Sequence, residues 1–295
     1  MIPSLLPIAE GDQLPQPHCG FVVRQTACRS ILNRSALGGY CLNCYTGCTH
    51  GCVYCYARFM QRFHPHEEPW GDFVDVKINA VEVLKRQLRR AEPGEVFISS
   101  ACDGWQPIEC QYQLTRRCCQ LLLEHGFSLF VLTKSKVVLR DMDVFRQVAP
   151  ARVTVGVTIT TLNERLRALW EPRADSVADR LSILATAKDA KLRTSIMFGP
   201  LLPGLSDDHR SLELMMQHAR HLAVDKIWVD ALNPRPRVWP SVAQLLRRHF
   251  PQLLEQYRKV LFDAEFRRQY LAQLRQLVED VARRQKVARR VSICF

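Results

Sequence analysis

Short apolar segments with strand character alternate with amphipathic helical segments between residues 79 and 231, and this alternation limits the fold more than any other feature. Strands are predicted at residues 96–100, 129–133, 153–159, 193–198 and 227–231. Helices are predicted at residues 113–124, 141–148, 178–190 and 207–222, and an earlier one starts after Asn79. Strands that alternate with helices in this way predict a parallel sheet with right-handed crossovers.

A weakly marked sixth strand is predicted near residues 40–45, which gives six strand–helix units in sequence. Six units fit an open, partial (β/α)6 barrel better than a closed barrel of eight, so we predict an α/β fold of this type. The active site of such a barrel lies at the carboxyl ends of the strands. A flat, doubly wound sheet is the alternative, but no GxGxxG turn supports it.

The chain is predicted to have three parts. Residues 1–35 form a proline-containing N-terminal arm, residues 36–232 the barrel core, and residues 233–295 a basic helical C-terminal extension. The prolines at 234 and 236 prevent a continuous helix there. A short helix is predicted at 241–250, followed by one long helix whose apolar stripe runs from Leu253 to Val281. We expect this extension to pack on the barrel.

Composition excludes some classes of protein. No run of 18 apolar residues predicts a membrane span, and the N-terminus lacks the pattern of a secretory signal. Twelve cysteines in a chain of this length, without an export signal, favour reduced thiols over a disulfide framework. These features predict a cytoplasmic protein.

Positive charge is concentrated in the C-terminal part. The net charge is +12, and residues 237–295 hold 13 Lys and Arg against 5 Asp and Glu. A densely basic run, which includes Arg283, Arg284, Lys286, Arg289 and Arg290, ends this segment. Such a surplus favours a polyanionic partner, DNA or RNA, although a solvated arginine-rich helix face would give the same pattern.

Cys48, Cys52 and Cys55 form a C-x3-C-x2-C motif, with Tyr54 directly before the third cysteine. Three thiolates on one short loop suit three irons of a [4Fe–4S] cluster and leave the fourth iron open to a small molecule. A structural zinc or a redox pair is the alternative, but zinc sites usually have a closed shell of four ligands.

Other cysteines lie close to this motif. Cys41 and Cys44 form a CxxC pair that could build a second metal site with Cys19 and Cys28. Their irregular spacing leaves this open.

The motifs resemble those of the radical SAM superfamily, and in particular the spore photoproduct lyase-like branch. The resemblance covers residues 30–208 and is carried by segments 42–58, 99–109, 133–135, 158–173 and 199–204. It implies a radical SAM barrel, a [4Fe–4S] cluster on Cys48, Cys52 and Cys55, and S-adenosyl-L-methionine (SAM) bound at the open iron.

The resemblance also implies that several further residues contact the cofactor. They are Tyr54, Ser100, Cys102, Lys134, Thr158, Arg173 and Gly199. Lys134 ends an apolar strand, where its ammonium could bind the carboxylate of SAM. Gly199 has no side chain and would let adenine lie against the backbone.

One position departs from the family pattern. In the photoproduct lyases a cysteine donates a hydrogen atom, and this chain has Ser100 at that position. A hydroxyl O–H bond is too strong for this role. Cys102 is the candidate catalytic thiol instead, and a buried structural cysteine is the alternative.

The resemblance implies reductive cleavage of SAM to a 5′-deoxyadenosyl radical, with electrons from an external flavodoxin- or ferredoxin-type donor. Three hypotheses remain for the function. The enzyme acts on nucleic acid, as in DNA photoproduct repair; or it acts on a small metabolite or a protein; or the chain is a cluster-carrying binding protein without SAM chemistry.

Overall fold

The computed structural model describes residues 20–35 and 38–295, so most of the predicted N-terminal arm, together with Cys19, lies outside the described residues. The strands are β1 (Val22–Thr26), β2 (Leu32–Arg34), β3 (Tyr40–Leu42), β4 (Tyr45–Thr46), β5 (Phe73–Lys77), β6 (Glu95–Ile98), β7 (Ser128–Thr133), β8 (Val153–Ile159), β9 (Arg193–Leu201), β10 (Lys226–Ala231) and β11 (Val291–Ile293). The helices are α1 (Ala80–Leu88), α2 (Glu109–Tyr112), α3 (Leu114–Glu124), α4 (Met142–Phe145), α5 (Glu164–Trp170), α6 (Val177–Asp189), α7 (His209–His221), α8 (Trp239–His249), α9 (Leu254–Phe262) and α10 (Ala264–Arg284).

The main sheet has eight strands in the order β11-β10-β9-β8-β7-β6-β3-β2. The six predicted strands, β3 and β6 to β10, are parallel to one another, as expected. β11 adds a parallel strand beyond β10, and β2 adds an antiparallel strand beyond β3. Because β2 and β11 end the sheet without pairing to each other, the barrel is open.

Aromatic contacts show that this sheet is curled. The rings of Phe130 on β7 and Trp228 on β10 lie 6.3 Å apart, although two strands separate β7 from β10 in the sheet. Phe97 on β6 contacts Phe130 with 5.1 Å between ring centroids. These side chains meet across the inner face, so the strands enclose a partial barrel.

Helices cover the outer face because the strand residues that point outward are apolar. In β10 the outward residues Ile227, Val229 and Ala231 are buried, while alternate residues are only half-buried. The covering helices begin at side-chain caps: Ser176 accepts a hydrogen bond from the Asp179 amide, and Asp208 accepts one from the Ser211 amide.

A second, three-stranded sheet in the order β1-β5-β4 supports the cysteine loop. The sequence did not predict β5, whose register pairs it with β1 in parallel and β4 in antiparallel orientation. Asn79 precedes α1 as predicted, but its side chain bonds both the amide and the carbonyl of Cys28 instead of capping the helix.

Some predicted helices are shorter than the sequence suggested. The predicted helix at 141–148 contains only α4, which follows a 3₁₀ turn. A separate 3₁₀ segment, Tyr56–Arg62, follows the cysteines. The single long C-terminal helix is wrong, because the chain turns at Asp263 between α9 and α10. Asp263 caps α10 by accepting a hydrogen bond from the Phe266 amide.

The C-terminal extension packs on the barrel through a second apolar core. Cys52 and Tyr54 of the cysteine motif share this core with Val242 of α8, with Phe250, which directly follows α8, and with Tyr257 of α9. The Ser241 hydroxyl of α8 also donates to the Val53 carbonyl at 2.9 Å. The extension therefore contacts the segment that carries the predicted cluster.

Among the described helices, none is long and apolar enough to cross a membrane.

Candidate active site

The cysteine motif lies in the loop after β4, at the carboxyl ends of the parallel strands. The Gln106 side chain fixes the start of this loop, because its Nε2 donates to the Gly47 carbonyl and its Oε1 accepts from the Thr49 amide. The Val53 amide donates to the Trp170 carbonyl at 2.9 Å, which fixes the other end. Backbone contacts thus hold the loop in place without using the cysteine side chains.

The three thiols are free and lie in the interior. Cys48 and Cys52 are buried, and Cys55 is half-buried. Burial raises the pKa of Cys48 well above its usual value, and nearby Asp103, Cys52 and Cys55 raise it further. Burial likewise raises the pKa of Cys52 to about 12 and raises that of Cys55. Three thiolates can coexist here only with cations that replace their protons.

This donor set fits an iron–sulfur cluster better than a single ion. Within residues 20–35 and 38–295, no three His, Cys, Asp or Glu side chains converge closely enough to hold one metal ion. A cubane cluster binds each thiolate through a different iron, so its ligands stand farther apart than those of one ion. Soft thiolates are the ligands that such clusters use.

The Arg173 side chain packs against the cysteine loop. Its guanidinium pairs with Asp72 at 2.9 Å and lies against Gly51 and Gly71. Both glycines have positive φ, 62° and 112°, and an added Cβ would come within 2.7 and 2.4 Å of the Arg173 guanidinium. The predicted cofactor contact at Arg173 therefore stays a prediction, while its observed contacts hold the loop.

Asp103 joins the loop after β6 to the end of β7. One carboxylate oxygen accepts from the Thr133 hydroxyl at 2.7 Å, and the other accepts from the Lys134 amide at 2.8 Å. The Nδ1 atom of His50 lies 3.4 Å from the second oxygen, and burial lowers the pKa of His50. Asp103 thereby sets the backbone direction at Lys134.

The Lys134 ammonium lies close to the cysteine loop. Its Nζ is 5.8 Å from the centre of the Tyr54 ring. Burial alone would lower the pKa of Lys134, but Cys52 and Glu171 outweigh it and the pKa is raised. It has no ion-pair partner in the described part of the chain, so this ammonium is available to an anionic ligand.

A buried polar network lies beneath Tyr54. The Tyr54 hydroxyl donates to Glu171, and Glu171 forms an ion pair with Arg180 at 2.5 Å, with both charged side chains fully buried. Burial by itself would raise the pKa of Glu171, but Arg180 and Lys134 lower it to about 2. Arg180 also donates to the Thr158 carbonyl at 2.9 Å. The network links the cysteine loop to the end of β8.

Thr160 extends this network to β9. Its hydroxyl donates to the Gly199 carbonyl at 3.0 Å and contacts Tyr54 at 3.0 Å. The Gly199–Pro200 peptide is cis. A Cβ on Gly199 would come within 3.1 Å of the Asp230 side chain, so a larger residue at this position would be in tight contact with β10.

Ser100 and Cys102 lie after β6. The Ser100 hydroxyl accepts from Asn43 at 2.9 Å, and its carbonyl accepts from the Tyr56 hydroxyl. The Cys102 thiol donates to the Tyr45 carbonyl at 2.7 Å, and burial raises the pKa of Cys102 to about 12. The thiol is thus neutral and held by the backbone.

The predicted site residues therefore come from neighbouring strand ends. Ser100 and Cys102 follow β6, Lys134 follows β7, Thr158 is near the end of β8, and Gly199 is in β9. Their placement brings them to the same edge of the sheet as the three cysteines, while their cofactor contacts remain predictions.

Sequence reasoning missed Arg180, Asp72 and Asp230. Arg180 has a recognisable signal, because it occupies a core-facing position of α6 among Val177, Ile183 and other apolar residues. Asp230 ends β10 with a half-buried carboxylate whose pKa is raised by burial.

Within the described segments, Cys28, Cys41 and Cys44 do not converge on a site for a single metal ion, and Cys19 lies outside them, so the second metal site stays a prediction. Cys44 is buried, and its sulfur lies 3.8 Å from that of Cys118 in the core. Cys41 is half-buried on β3.

The site therefore consists of three free, interior thiols in a loop at the carboxyl end of an open (β/α) barrel. The model of the Radical SAM superfamily matches residues 42–215, more than half of the chain, and the chain belongs to this superfamily.

Two relatives show what the chain is similar to in sequence. An uncharacterized protein of Methanocaldococcus jannaschii is 34% identical over 168 residues, and the match spans 57% of this chain and 62% of the relative, less than two thirds of its length. A radical SAM Nα-GlyT isomerase of Pseudomonas phage M6 is 25% identical over 178 residues, 59% of this chain and 34% of the relative.

A spore photoproduct lyase complexed with dinucleoside spore photoproduct has a TM-score of 0.66 to this structure. The match covers 92% of this chain and 82% of the lyase at 11% identity, so it shows a shared fold.

Proposed function

We propose that this radical SAM enzyme binds a [4Fe–4S] cluster through Cys48, Cys52 and Cys55, binds SAM beside it, and acts on a nucleic acid. The observation that carries the cofactor proposal is the group of three free, interior thiols at the carboxyl end of an open barrel. The fold of a lyase that binds a dinucleoside, together with the basic charge, supports a nucleic-acid substrate.

When bound and reduced by a flavodoxin- or ferredoxin-type protein, the cluster and SAM supply a 5′-deoxyadenosyl radical for hydrogen abstraction. The protein residues orient and shield that chemistry. Lys134 offers its unpaired ammonium to the SAM carboxylate, and Gly199 leaves room for the adenine. Ser100, Thr158 and Arg173 complete the proposed contacts.

The Tyr54–Glu171–Arg180 network keeps Tyr54 in place against the loop. Because all three side chains are buried and bonded to one another, the wall of the site is rigid before any ligand binds. A rigid wall excludes water from the reacting atoms, which protects a radical from quenching.

Cys102 remains our candidate for a hydrogen-donating thiol. Its sulfur is held by the Tyr45 carbonyl, so a structural role is the alternative. A Cys102→Ala variant that still cleaves SAM but fails to complete substrate turnover would support the catalytic role. Unchanged turnover would remove Cys102 from the reaction.

The cofactor proposal is tested by anaerobic reconstitution with iron and sulfide, followed by assay of SAM cleavage with dithionite. We expect 5′-deoxyadenosine and methionine to form. A protein that takes up iron and sulfide but gives no 5′-deoxyadenosine would be a cluster-carrying binding protein instead.

The substrate proposal needs a separate measurement. Binding of single-stranded and duplex DNA and RNA should weaken steeply as salt rises, because neutralised phosphates release counterions. Absence of salt-dependent binding to all of these would favour a small metabolite or a protein as substrate.

A further inference from the structure

A groove with aromatic and cationic walls opens at the carboxyl end of β10. Its volume is about 210 Å³, and its lining includes Pro234, Arg235, Pro236, Arg237, Trp239 and Phe262. The loop that carries the first four follows β10 directly, and α8 and α9 supply the two aromatic rings. We refer to this feature as the rim groove.

The rim groove is attached to the cysteine loop. Trp239 starts α8, and two residues later the Ser241 hydroxyl donates to the carbonyl of Val53, which lies between Cys52 and Cys55. Val238 also belongs to the apolar core that contains Cys52 and Tyr54. A ligand in the rim groove would thus lie at the same end of the barrel as the proposed cluster.

The aromatic walls expose ring surface to solvent. Phe262 is 61% exposed, and its ring meets Trp239 edge to face at 5.6 Å. An aromatic ring this exposed, beside two prolines, offers an apolar surface that water solvates poorly. Flat rings of this kind stack on nucleobases regardless of sequence.

The two arginines supply the complementary charge. Arg235 and Arg237 are exposed, and neither makes an ion pair or side-chain hydrogen bond with another described residue. Asp263, which follows Phe262 in the chain, accepts a hydrogen bond from the Phe266 amide. Two free guanidinium groups beside exposed rings match a ligand that alternates phosphates with bases.

We propose that the rim groove binds a single-stranded segment of nucleic acid, with one base stacked on Phe262 and backbone phosphates paired with Arg235 and Arg237. The proposal rests on the proposed nucleic-acid function and names the surface that delivers the substrate. Duplex DNA fits poorly, because its bases are stacked on one another and present only their edges.

The test measures binding of fluorescein-labelled oligothymidylate and oligouridylate to the full-length, reconstituted protein over a range of salt concentrations. Arg235→Gln with Arg237→Gln should lower the salt slope by about 1.4, since each phosphate contact on a single strand contributes roughly 0.7. Phe262→Ala should weaken binding by about 5- to 150-fold, the equivalent of one lost base stack.

The matched control replaces Arg86 and Arg89, two exposed arginines that line a second basic groove at the amino ends of β3 and β6. Arg86→Gln with Arg89→Gln removes the same charge at the opposite end of the barrel and should leave the affinity and the salt slope unchanged. Iron content and thermal unfolding show that each variant is folded.

The outcomes separate this inference from the proposed function. If the wild-type protein binds the oligonucleotides and the rim variants bind equally well, the rim groove is overturned while a nucleic-acid substrate stands. Equal loss in the Arg86 and Arg89 variant would also overturn it, because only net charge would then matter. If the wild-type protein binds neither oligonucleotide, the rim-groove proposal fails, and the nucleic-acid function fails with it only if duplex DNA and RNA are not bound either. Tighter binding of a duplex, or equal competition by polyglutamate, overturns the stacking role.

Discussion

At the scale of single residues, the site depends on charges that are buried with specific partners. Glu171 and Arg180 are both fully buried and form an ion pair, and the same carboxylate accepts from Tyr54. Lys134 lies beside them without an ion-pair partner of its own in the described chain. A buried charge with a partner fixes the local structure, whereas a buried charge without an ion-pair partner can bind a ligand of opposite charge. Replacing Arg180 is therefore expected to lower stability, and replacing Lys134 is expected to weaken ligand binding.

Lys134→Ala should weaken SAM binding by about 1.5–3 kcal/mol, the range for a lost charge-assisted hydrogen bond, because the SAM carboxylate would lose its cation. Equilibrium binding to reconstituted protein measures this, and iron content should not change. Lys136→Ala is the control, since Lys136 is exposed and only approaches Asp179 at 3.5 Å. Unchanged SAM affinity in the folded, iron-loaded Lys134 variant would remove Lys134 from the site.

Arg180→Met should lower the free energy of unfolding by about 3–5 kcal/mol, because it leaves the Glu171 carboxylate buried without its partner. Urea unfolding of the apoprotein measures the loss. A second change, Glu171→Gln, should recover part of it by removing the unpaired charge. Lys188→Met on the same helix is the control, because its ion pair with Asp225 is exposed and contributes about 0–1 kcal/mol. Equal losses in both single variants would contradict this account.

At the scale of elements, the cysteine loop is held by neighbours and not by its own thiols. Gln106, Trp170 and Arg173 each bond or contact the loop backbone. Gln106 follows β6, and the other two lie at the end of α5 and just after it, so two segments of the barrel core hold the loop. The loop should therefore keep its conformation when a thiol is lost, so cluster loss can be separated from unfolding.

Cys48→Ala, Cys52→Ala and Cys55→Ala should each abolish the iron–sulfur chromophore, because each removes one of three iron ligands. Iron and sulfide analysis of the wild-type protein should give about four of each per chain. Cys41→Ala is the control and should keep the chromophore, since Cys41 lies on β3 outside the loop. About eight irons per chain, reduced by the Cys41 change, would reveal a second cluster.

At the scale of the whole molecule, the parallel sheet could be predicted from the sequence, whereas the additional strands β5 and β11 could not. β8 has the predicted bounds because a run of buried β-branched residues is a strong strand signal. β5 and β11 were missed, because short strands of five and three residues are stabilised by distant partners that local pattern cannot reveal. The predicted apolar stripe continues across the turn at Asp263, because α9 and α10 each bury an apolar face. The stripe therefore does not reveal where α9 ends and α10 begins.

The site was predictable only where its chemistry shows in residue type. Three cysteines at short spacing identify their own ligand class, and Lys134 is conspicuous after an apolar strand. Arg180 was missed because an arginine in a helix usually faces solvent, and only tertiary packing pairs it with Glu171. The rim groove likewise brings the loop of Arg235 and Arg237 together with the Phe262 ring, which lies about 25 residues later in the chain. The sequence does not show this proximity.

The fold also separates the two arginines of the rim groove from the basic run near the C-terminus. α10 starts at the carboxyl end of the barrel, where Arg267 donates to the Leu232 carbonyl. Beyond the end of α10, Arg290 donates to the carbonyl of Val224, which precedes β10 at the amino end. Arg290, the last residue of the basic run, therefore lies at the end opposite the cysteine loop. Arg283 is paired with Asp280, and Arg284 contacts His209 at 3.1 Å.

This placement changes the expectation for these residues. Replacing Arg283, Arg284, Lys286 and Arg289 with Gln should alter the salt slope of oligonucleotide binding by less than the two rim arginines do, although it removes twice the charge. The physical reason is that the slope counts phosphates in contact, while distant charge acts only through a screened field whose range is about 10 Å at 0.1 M salt. Titrations at several salt concentrations measure both slopes on the same protein preparation, with thermal unfolding as the check on folding. A slope that falls by roughly 0.7 for each of the four residues would place the nucleic acid along the C-terminal basic run instead of in the rim groove.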